Sequence, residues 1–226
     1  MTGKQIRPDA VPLPWLQVLL VAGVVRPLLL LGFGLGVRHR ERLPTTGPAI
    51  VVANHNSHLD TLLLLSLFPL GSLRQVRPAA AADYFGERGL IRWVTRTLIG
   101  AILIERKTTP GQRRDPLAPL SAALGRGEIV LLFPEGTRGR PEVREEFKSG
   151  LAYLARRHPD VPVIPVSLRG LGHALPKGEW LPVPLNLYAA VGEAVTAGQA
   201  DRPAFLQAVE QAMNVLNAEL PVSVWD

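Results

Sequence analysis

The stretch VVANHNSHLDTLLLL, residues 51–65, places two histidines and one aspartate between two hydrophobic runs. The run that ends at Ala53 is short and apolar, which is typical of a buried strand. The run that follows Asp60 is long enough for a helix and is closed by Pro69. A strand followed directly by a helix is the repeating unit of an α/β fold, so we expect the polar residues to lie where a strand leaves the sheet.

The rest of the chain repeats this alternation. We predict strands at residues 48–53, 76–82, 101–104, 128–133, 163–168 and 185–191. We predict helices at residues 60–68, 87–99, 116–124, 147–157 and 203–220. The sequence therefore predicts an α/β fold, with a mostly parallel central sheet flanked by helices and an N-terminal membrane-associated helical pair. Residues 1–42 are predicted to form the membrane-associating segment and residues 43–226 the α/β domain.

The N-terminal segment is apolar from residue 11 to residue 37 except for one charge, at Arg26, which Pro27 follows. A break at this dipeptide gives helices at 11–25 and 28–37, about 22 Å and 15 Å long. Neither crosses a hydrocarbon core of about 30 Å. We therefore predict a kinked helical pair in one leaflet at the cytoplasmic face of the cell membrane, with Trp15 near the headgroups. A buried helical hairpin, a single tilted span and a cleaved signal sequence are the alternatives.

The amino-acid composition limits the kinds of reaction and partner that the chain can have. The chain has no cysteine, which excludes disulfides, zinc–thiolate sites and a thiol nucleophile. Residues 74–144 hold 13 Lys and Arg against 7 Asp and Glu, so they carry the whole net charge of +6 and favour an anionic partner such as a phosphate, an acidic carrier or a lipid surface. The sequence contains no His, Asp and Glu cluster with the spacing of metal ligands, no nucleophile elbow and no P-loop. We therefore expect neither a metal nor a nucleic-acid partner.

His55 and Asp60 form the pattern His-x4-Asp. If a turn folds the carboxylate back onto Nδ1 of the imidazole, the tautomer is fixed and Nε2 is free to act as a general base. Neutral histidine suits the removal of a proton from a hydroxyl near neutral pH. In the alternative interpretation, Asn54, Ser57 and Asp60 cap the helix and His55 lies in a turn. His58 is predicted to be a loop or surface residue.

Two further motifs follow predicted strands. GAILIERK, Gly100–Lys107, runs from a short apolar strand into Arg106 and Lys107, which suit a bound phosphate or an ordinary solvated strand end. LLFPEGTRGRPE, Leu131–Glu142, runs from a buried strand into a tight turn. Such a turn can leave backbone N–H groups open to a ligand, with Arg138 adding a cation, or it can be a simple β-turn.

Taken in order, four motifs resemble the glycerolipid acyltransferase family, in particular the bacterial type that acylates 1-acyl-glycerol-3-phosphate. The motifs are Asn54-His55 with Asp60, Gly100 to Arg106, Phe133-Pro134-Glu135-Gly136-Thr137-Arg138, and Val163-Ile164-Pro165-Val166. The resemblance covers residues 50–168. One departure is Leu103, where many members have phenylalanine.

The resemblance implies a role for each matching residue. His55 would be the base and Asp60 would orient it. Arg106 would contact the acceptor phosphate, and Glu135, Gly136 and Arg138 would complete the acceptor site. The implied reaction moves an acyl group from acyl-CoA or acyl carrier protein to a lysophospholipid at a membrane surface, giving phosphatidic acid and using no cofactor.

Other interpretations remain open. The same chemistry could serve another acceptor: glycerol-3-phosphate, a lysophospholipid with a headgroup or a lyso-amino-acid lipid. A thioesterase would use the dyad to activate water and would need no acceptor. A catalytically silent, membrane-bound lipid-binding protein would need no base.

Overall fold

A seven-stranded sheet forms the centre of the molecule in a computed structural model that describes residues 13–57, 59–82, 89–105, 115–136, 147–175, 181–198 and 200–221. The strands are β1 (Gly34–Arg38), β2 (Ala49–Ala53), β3 (Val76–Ala81), β4 (Ile102–Ile104), β5 (Ile129–Leu132), β6 (Val163–Arg169) and β7 (Asn186–Val191). Their order in the sheet is β1-β7-β6-β2-β5-β3-β4. Strands β2 to β6 are parallel, β7 runs antiparallel to β6, and β1 is parallel to β7. The predicted α/β fold with a mostly parallel sheet is confirmed.

Helices cover both faces of the sheet. They are α1 (Pro14–Leu20), α2 (Arg26–Gly32), α3 (Leu59–Leu67), α4 (Gly89–Thr97), α5 (Ala118–Gly125), α6 (Gly150–Arg157), α7 (Leu171–Ala174) and α8 (Arg202–Glu219). Successive side chains of a strand point to opposite faces, so Val51 packs with the α2 and α3 side chains while Ile50 and Val52 pack with those of α5, α6 and α8. Because both faces are covered, all five residues of β2 are buried.

The N-terminal helix is continuous from Pro14 to Gly32. A π-helical turn, Val21–Val25, joins α1 to α2. Pro27 has no N–H and its ring crowds the carbonyl four residues earlier, and the wider π turn accommodates this without ending the helix. The predicted break at Arg26-Pro27 is therefore wrong. Among the described residues this is the one helix long and apolar enough to cross a membrane, at about 28 Å.

The predicted second helix at residues 28–37 is wrong beyond Gly32, because Gly34–Arg38 is the edge strand β1. The glycines explain the change of structure. Gly36 lies opposite Tyr188 of β7, and a methyl group on it would come within 2.8 Å of the tyrosine ring. The apolar composition of this stretch suggests a helix, whereas its glycines permit the close approach of β7. The division of the chain at residue 42 stays a prediction, although β1 belongs to the sheet.

Two arginines attach the N-terminal helix and the following turn to the end of α3. Arg26 donates through Nε to the carbonyl of Ser66 at 3.2 Å and through Nη2 to that of Phe68 at 2.5 Å. Arg40 donates to the carbonyl of Leu67 at 2.7 Å. The last carbonyls of a helix lack partners within the helix, so these contacts satisfy groups that would otherwise need water.

One face of the N-terminal helix is buried along its whole length. The buried side chains recur every fourth residue, at Gln17, Val21, Val25 and Leu29. The Gln17 amide also donates to the carbonyl of Val76 at 3.3 Å. The opposite face is apolar and exposed. Its exposed residues include Trp15, Leu19, Leu28, Leu30 and Leu31.

Candidate active site

The candidate site lies at the carboxyl edge of the parallel strands. β2 and β5 are neighbours, with Val52 opposite Leu132. The chain therefore leaves both strands at the same level, and His55 on one side faces the turn that begins at Phe133 on the other. In open α/β sheets, ligands bind at this edge, where strand connections diverge to opposite sides.

Asn54 fixes the point at which the chain leaves β2. Its side-chain amide donates to the carbonyl of Leu168 at 2.8 Å, and its oxygen accepts from the amide of Leu168 at 2.7 Å. The side chain thus extends the pairing of β2 with β6 beyond the last strand residue. Asn54 anchors the loop to β6, and the helix-capping role considered for it in the sequence falls to Ser57. Ser57 Oγ accepts from the amide of Leu59 at 3.3 Å and donates to the carbonyl of Leu175 at 3.0 Å.

The structure brings His55 and Asp60 together. His55 Nδ1 lies 2.9 Å from Asp60 Oδ2, and the same oxygen accepts from the amides of Asn56 at 2.6 Å and Ser57 at 2.8 Å. Asp60 is fully buried in the first turn of α3, while the His55 side chain is 20% exposed. The Asp60 carboxylate therefore makes both the contact expected of a catalytic dyad and the hydrogen bonds expected at the start of a helix. Their catalytic roles stay a prediction.

The electrostatics of the pair follow from burial. Burial raises the pKa of the Asp60 carboxyl, and the contact with His55 and the amides of Ser57 and Asn56 oppose that shift. The carboxylate beside Nδ1 favours the neutral imidazole tautomer that carries its hydrogen on Nδ1. Among the described residues His55 Nε2 has no hydrogen-bond partner, and it is the nitrogen available to a ligand.

An aromatic ring packs against the imidazole. The centroids of Phe133 and His55 are 4.1 Å apart and their planes are inclined by 20°. Phe133 is half-buried and also packs against the core shared by α2, α3 and the sheet. Phe133 belongs to a motif identified in the sequence, but no role was predicted for it. Its contact with His55 depends on the register of β2 with β5, which the sequence does not reveal.

Glu135 and Gly136 lie in the turn after β5, on the same edge. Glu135 is fully buried. Gly136 has φ +73° and its amide donates to the carbonyl of Phe133 at 3.0 Å, so the predicted tight turn is present. This left-handed conformation favours glycine.

Lys148 lies over this turn and was not predicted as a site residue. Its amide donates to the carbonyl of Pro134 at 2.9 Å. A methyl group on Gly136 would come within 3.0 Å of Lys148 Cδ and 3.1 Å of its Nζ. An exposed ammonium group therefore covers the open side of Gly136. A lysine twelve residues beyond the turn gives no local signal of this contact.

Arg106, the predicted phosphate contact, lies outside the described residues. So do Arg138, a further predicted acceptor-site residue, and His58. Glu105, which precedes Arg106, is exposed at the end of β4. The structure therefore places four of the six predicted site residues, namely His55, Asp60, Glu135 and Gly136. All four lie in the segments that follow the neighbouring strands β2 and β5.

Comparison with known proteins adds a family match. The model of the family described as Acyltransferase matches residues 34–169. This range contains β1 to β6, the His55–Asp60 pair and the turn after β5.

Several curated relatives match by sequence. A 1-acyl-sn-glycerol-3-phosphate acyltransferase alpha of Mus musculus is 34% identical over 140 residues, covering 61% of this chain and 46% of the relative. The chloroplastic enzyme LPAT1 of Arabidopsis thaliana, a 1-acyl-sn-glycerol-3-phosphate acyltransferase, is 29% identical over 152 residues, 65% of this chain and 39% of the relative. A probable 1-acyl-sn-glycerol-3-phosphate acyltransferase of Mycoplasma genitalium is 32% identical over 123 residues, 54% and 44%. The chain thus spans less than half the length of these relatives.

One solved structure matches most of the fold. The crystal structure of PlsC, the 1-acyl-sn-glycerophosphate acyltransferase of Thermotoga maritima, superposes with a TM-score of 0.73 at 24% identity. The match covers 91% of this chain and 81% of that chain, so the likeness extends beyond the range of the family model.

Proposed function

This chain belongs to the acyltransferase family, and from that premise we propose that it moves a fatty acyl group from a thioester to the sn-2 hydroxyl of 1-acyl-glycerol-3-phosphate, giving phosphatidic acid. The relatives described above are named as acyltransferases of 1-acyl-sn-glycerol-3-phosphate, which supports this acceptor. The observation that carries the proposed chemistry is the 2.9 Å contact between His55 Nδ1 and the buried carboxylate of Asp60, which leaves Nε2 open.

In the proposed mechanism His55 is a general base. Nε2 takes the proton of the acceptor hydroxyl as the oxygen attacks the thioester carbonyl, and Asp60 stabilises the imidazolium that forms. The tetrahedral intermediate collapses with cleavage of the carbon–sulfur bond. The thiolate leaves and takes the proton from His55, so the products are an ester and a free thiol. This route needs no nucleophilic side chain, which suits a chain without cysteine.

The acceptor site in this proposal is the turn after β5 with its surroundings. Gly136 offers a backbone without a side chain, and the Lys148 ammonium beside it favours an anionic group such as the acceptor phosphate. Glu135 would complete the site from beneath, and Arg106 and Arg138 would contribute cations. The donor is an acyl-CoA or an acyl carrier protein, and the proposed reaction requires no cofactor.

We further propose that the enzyme binds the cytoplasmic face of the cell membrane through the exposed side of its N-terminal helix. The other side of this helix packs against the domain from Gln17 to Leu29, and Arg26 is hydrogen-bonded to the end of α3. A helix attached to the domain along its length cannot cross a bilayer without drawing the domain into hydrocarbon. The arrangement therefore supports a helix lying in one leaflet.

The proposed reaction can be tested with the purified, detergent-solubilised protein. Thiol release from palmitoyl-CoA is followed with and without 1-acyl-glycerol-3-phosphate, and the lipid product is identified by mass. Glycerol-3-phosphate and a lysophosphatidylcholine serve as comparison acceptors, and palmitoyl acyl carrier protein as a second donor. We expect release that depends on the acceptor and yields phosphatidic acid.

Two results would overturn the proposal. Release of free fatty acid without an acceptor would identify a thioesterase. Absence of turnover with both donors and all acceptors, combined with lipid binding, would identify a binding protein.

The membrane proposal has a separate test, which is flotation with vesicles that contain anionic phospholipid. We expect the double substitution Leu30→Gln and Leu31→Gln to abolish vesicle binding, because both side chains are exposed on the apolar face. Val215→Gln, which alters an exposed apolar residue on α8, is the matched control and should bind as the wild type does. Equal binding by the double variant would contradict this proposal.

A further inference from the structure

The flat contact between Phe133 and His55 follows from the pairing of two strands. Leu132, the last residue of β5, lies opposite Val52 of β2, so Phe133 follows beside Ala53. His55 comes two residues after Ala53, and the two rings meet with centroids 4.1 Å apart and planes inclined by 20°. The short distance and small angle mean that the two rings are stacked.

His55 has few other constraints on its ring plane. Residues 54–57 belong to no helix or strand, so the local backbone does not hold the side chain by regular structure. The hydrogen bond between Nδ1 and Asp60 restrains rotation of the ring about Cβ–Cγ and leaves a limited range of tilt. The side chain is 20% exposed, so part of the ring remains open to solvent. A flat neighbour on one face removes the remaining tilt.

Phe133 is itself well anchored. It follows a buried strand, and its ring packs against the core cluster that contains Leu63, Ile129 and Leu131. Its carbonyl accepts from the amide of Gly136 at 3.0 Å, which fixes the start of the turn. The ring that faces His55 is therefore held by the core, and the Phe133 backbone is held by the turn.

We propose that Phe133 is a positioning residue that holds the imidazole plane of His55, so that Nε2 points toward the acceptor hydroxyl. This inference rests on the proposed role of His55 as the base. The stacked ring also offers its electron-rich face to the imidazolium that forms during proton transfer, which lowers the energy of the charged intermediate. A side chain of similar size without a flat face would fill the space and lose both effects.

Kinetic comparison of three variants tests the proposal. Phe133→Leu should lower kcat by about three- to tenfold while the acceptor KM stays within about twofold, since an aromatic pair of this kind contributes modestly and acts on the base. Phe133→Tyr keeps the ring and should retain kcat. Phe205→Leu makes the same change at a buried position of α8, in the core on the other face of the sheet, and should leave kcat unchanged.

A spectroscopic measurement reports the contact without turnover. In protein labelled with ¹³C-histidine, the His55 ring signals are assigned by their loss in His55→Gln. The ring current of Phe133 should shift them upfield in the wild type and in Phe133→Tyr, and Phe133→Leu should return them downfield.

The outcomes separate this inference from the proposed function. If Phe133→Leu loses the upfield shift and keeps full kcat, the ring does not position the base, while acyl transfer by His55 stands. If Phe205→Leu lowers kcat as much as Phe133→Leu, the effect is one of general packing and the inference is wrong. If the wild type shows the upfield shift and no acceptor-dependent transfer, the proposed function fails, and the positioning role fails with it.

Discussion

Two acid–base pairs, each with one buried member, occupy different parts of the sheet and differ in how many of their atoms are engaged. Arg77 of β3 contacts Glu128 through Nε and Nη2, both 2.9 Å from the same oxygen. Its Nη1 and Nη2 also donate to the carbonyls of Val76 at 3.2 Å and Arg74 at 3.0 Å. Arg126 donates to the second oxygen of Glu128 at 2.7 Å. Every nitrogen of the Arg77 guanidinium is therefore occupied.

The His55–Asp60 pair is open by comparison. Asp60 Oδ2 has three partners, but within the part of the chain that the structure describes Oδ1 has none, and neither has His55 Nε2. A closed pair holds β3 to the start of β5 and has no atom left for a ligand. An open pair, fixed on one side and accessible on the other, can exchange a proton with a substrate. Burial alone therefore does not distinguish a structural pair from a candidate catalytic one; the free nitrogen does.

Breaking the closed pair should affect stability and spare activity. Arg77→Met removes a buried guanidinium and leaves Glu128 with Arg126 as its partner, and we expect the free energy of unfolding to fall by about 2–3 kcal/mol. Urea denaturation followed by circular dichroism measures this change. Arg126→Met is the matched control on the same carboxylate, and because Arg126 is 58% exposed we expect a loss below about 1 kcal/mol. A fall in kcat per folded Arg77→Met molecule comparable to that of a dyad variant would contradict the distinction between the pairs.

Altering the open pair should have the reverse effect. Asp60→Asn removes the charge that stabilises the imidazolium and favours the wrong tautomer of His55, and we expect kcat to fall by about a hundredfold. The variant should remain folded, because the amide oxygen can still accept from Asn56 and Ser57. Steady-state acyl transfer measures the effect. A variant with wild-type kcat would show that the contact between His55 and Asp60 is not used.

The same substitution predicts a pH dependence of stability. Burial raises the pKa of Asp60 from its ordinary value of 3.8, so the folded protein binds this proton more tightly than the unfolded chain does. The resulting stabilisation is fully present below about pH 3.8 and is lost as the pH rises through the raised pKa. The side-chain amide in Asp60→Asn does not titrate in this way, so the wild type should lose stability relative to this variant as the pH rises across that window. Urea denaturation of both proteins at a series of pH values tests the sign, and a relative gain by the wild type would contradict it.

The smallest expected effect concerns the acceptor site beside the open pair. Lys148→Met removes the ammonium group over Gly136, and we expect the KM for 1-acyl-glycerol-3-phosphate to rise about three- to tenfold with kcat little changed. Lys148→Arg keeps the charge and should stay near the wild-type KM. Initial rates over a range of acceptor concentrations give both constants. An unchanged KM in Lys148→Met would exclude this lysine from the acceptor site.

The parts of the molecule predicted well from the sequence are those governed by local patterns. Short apolar runs located all six predicted strands to within two residues. The spacing of His55 and Asp60 anticipated their contact, because a turn that leads into the first turn of a helix brings positions five apart together. The two predicted site segments described here follow the parallel, neighbouring strands β2 and β5, so they share one edge of the sheet.

The parts predicted poorly depend on distant partners. Nothing local in residues 34–38 reveals that β7 will pair with them. Arg26, which follows the π-helical turn, finds its hydrogen-bond partners at Ser66 and Phe68, some forty residues later. Lys148 lies beside Gly136 although twelve residues separate them in sequence, and Phe133 meets His55 only through strand register. Sequence patterns thus located the candidate site, and tertiary structure supplied the residues that support it.

The most direct test of the central claim is acyl transfer by His55→Gln, which keeps the size and polarity of the side chain and removes the base. His158→Gln is the matched control, since His158 also lies in a two-residue hydrogen bond, 2.7 Å from Ser121 Oγ. With palmitoyl-CoA and 1-acyl-glycerol-3-phosphate, we expect kcat of His55→Gln to fall by about 10²- to 10⁴-fold while the protein remains folded. We expect His158→Gln to retain the wild-type kcat. Phosphatidic acid formation by folded His55→Gln at the wild-type rate would contradict the central claim.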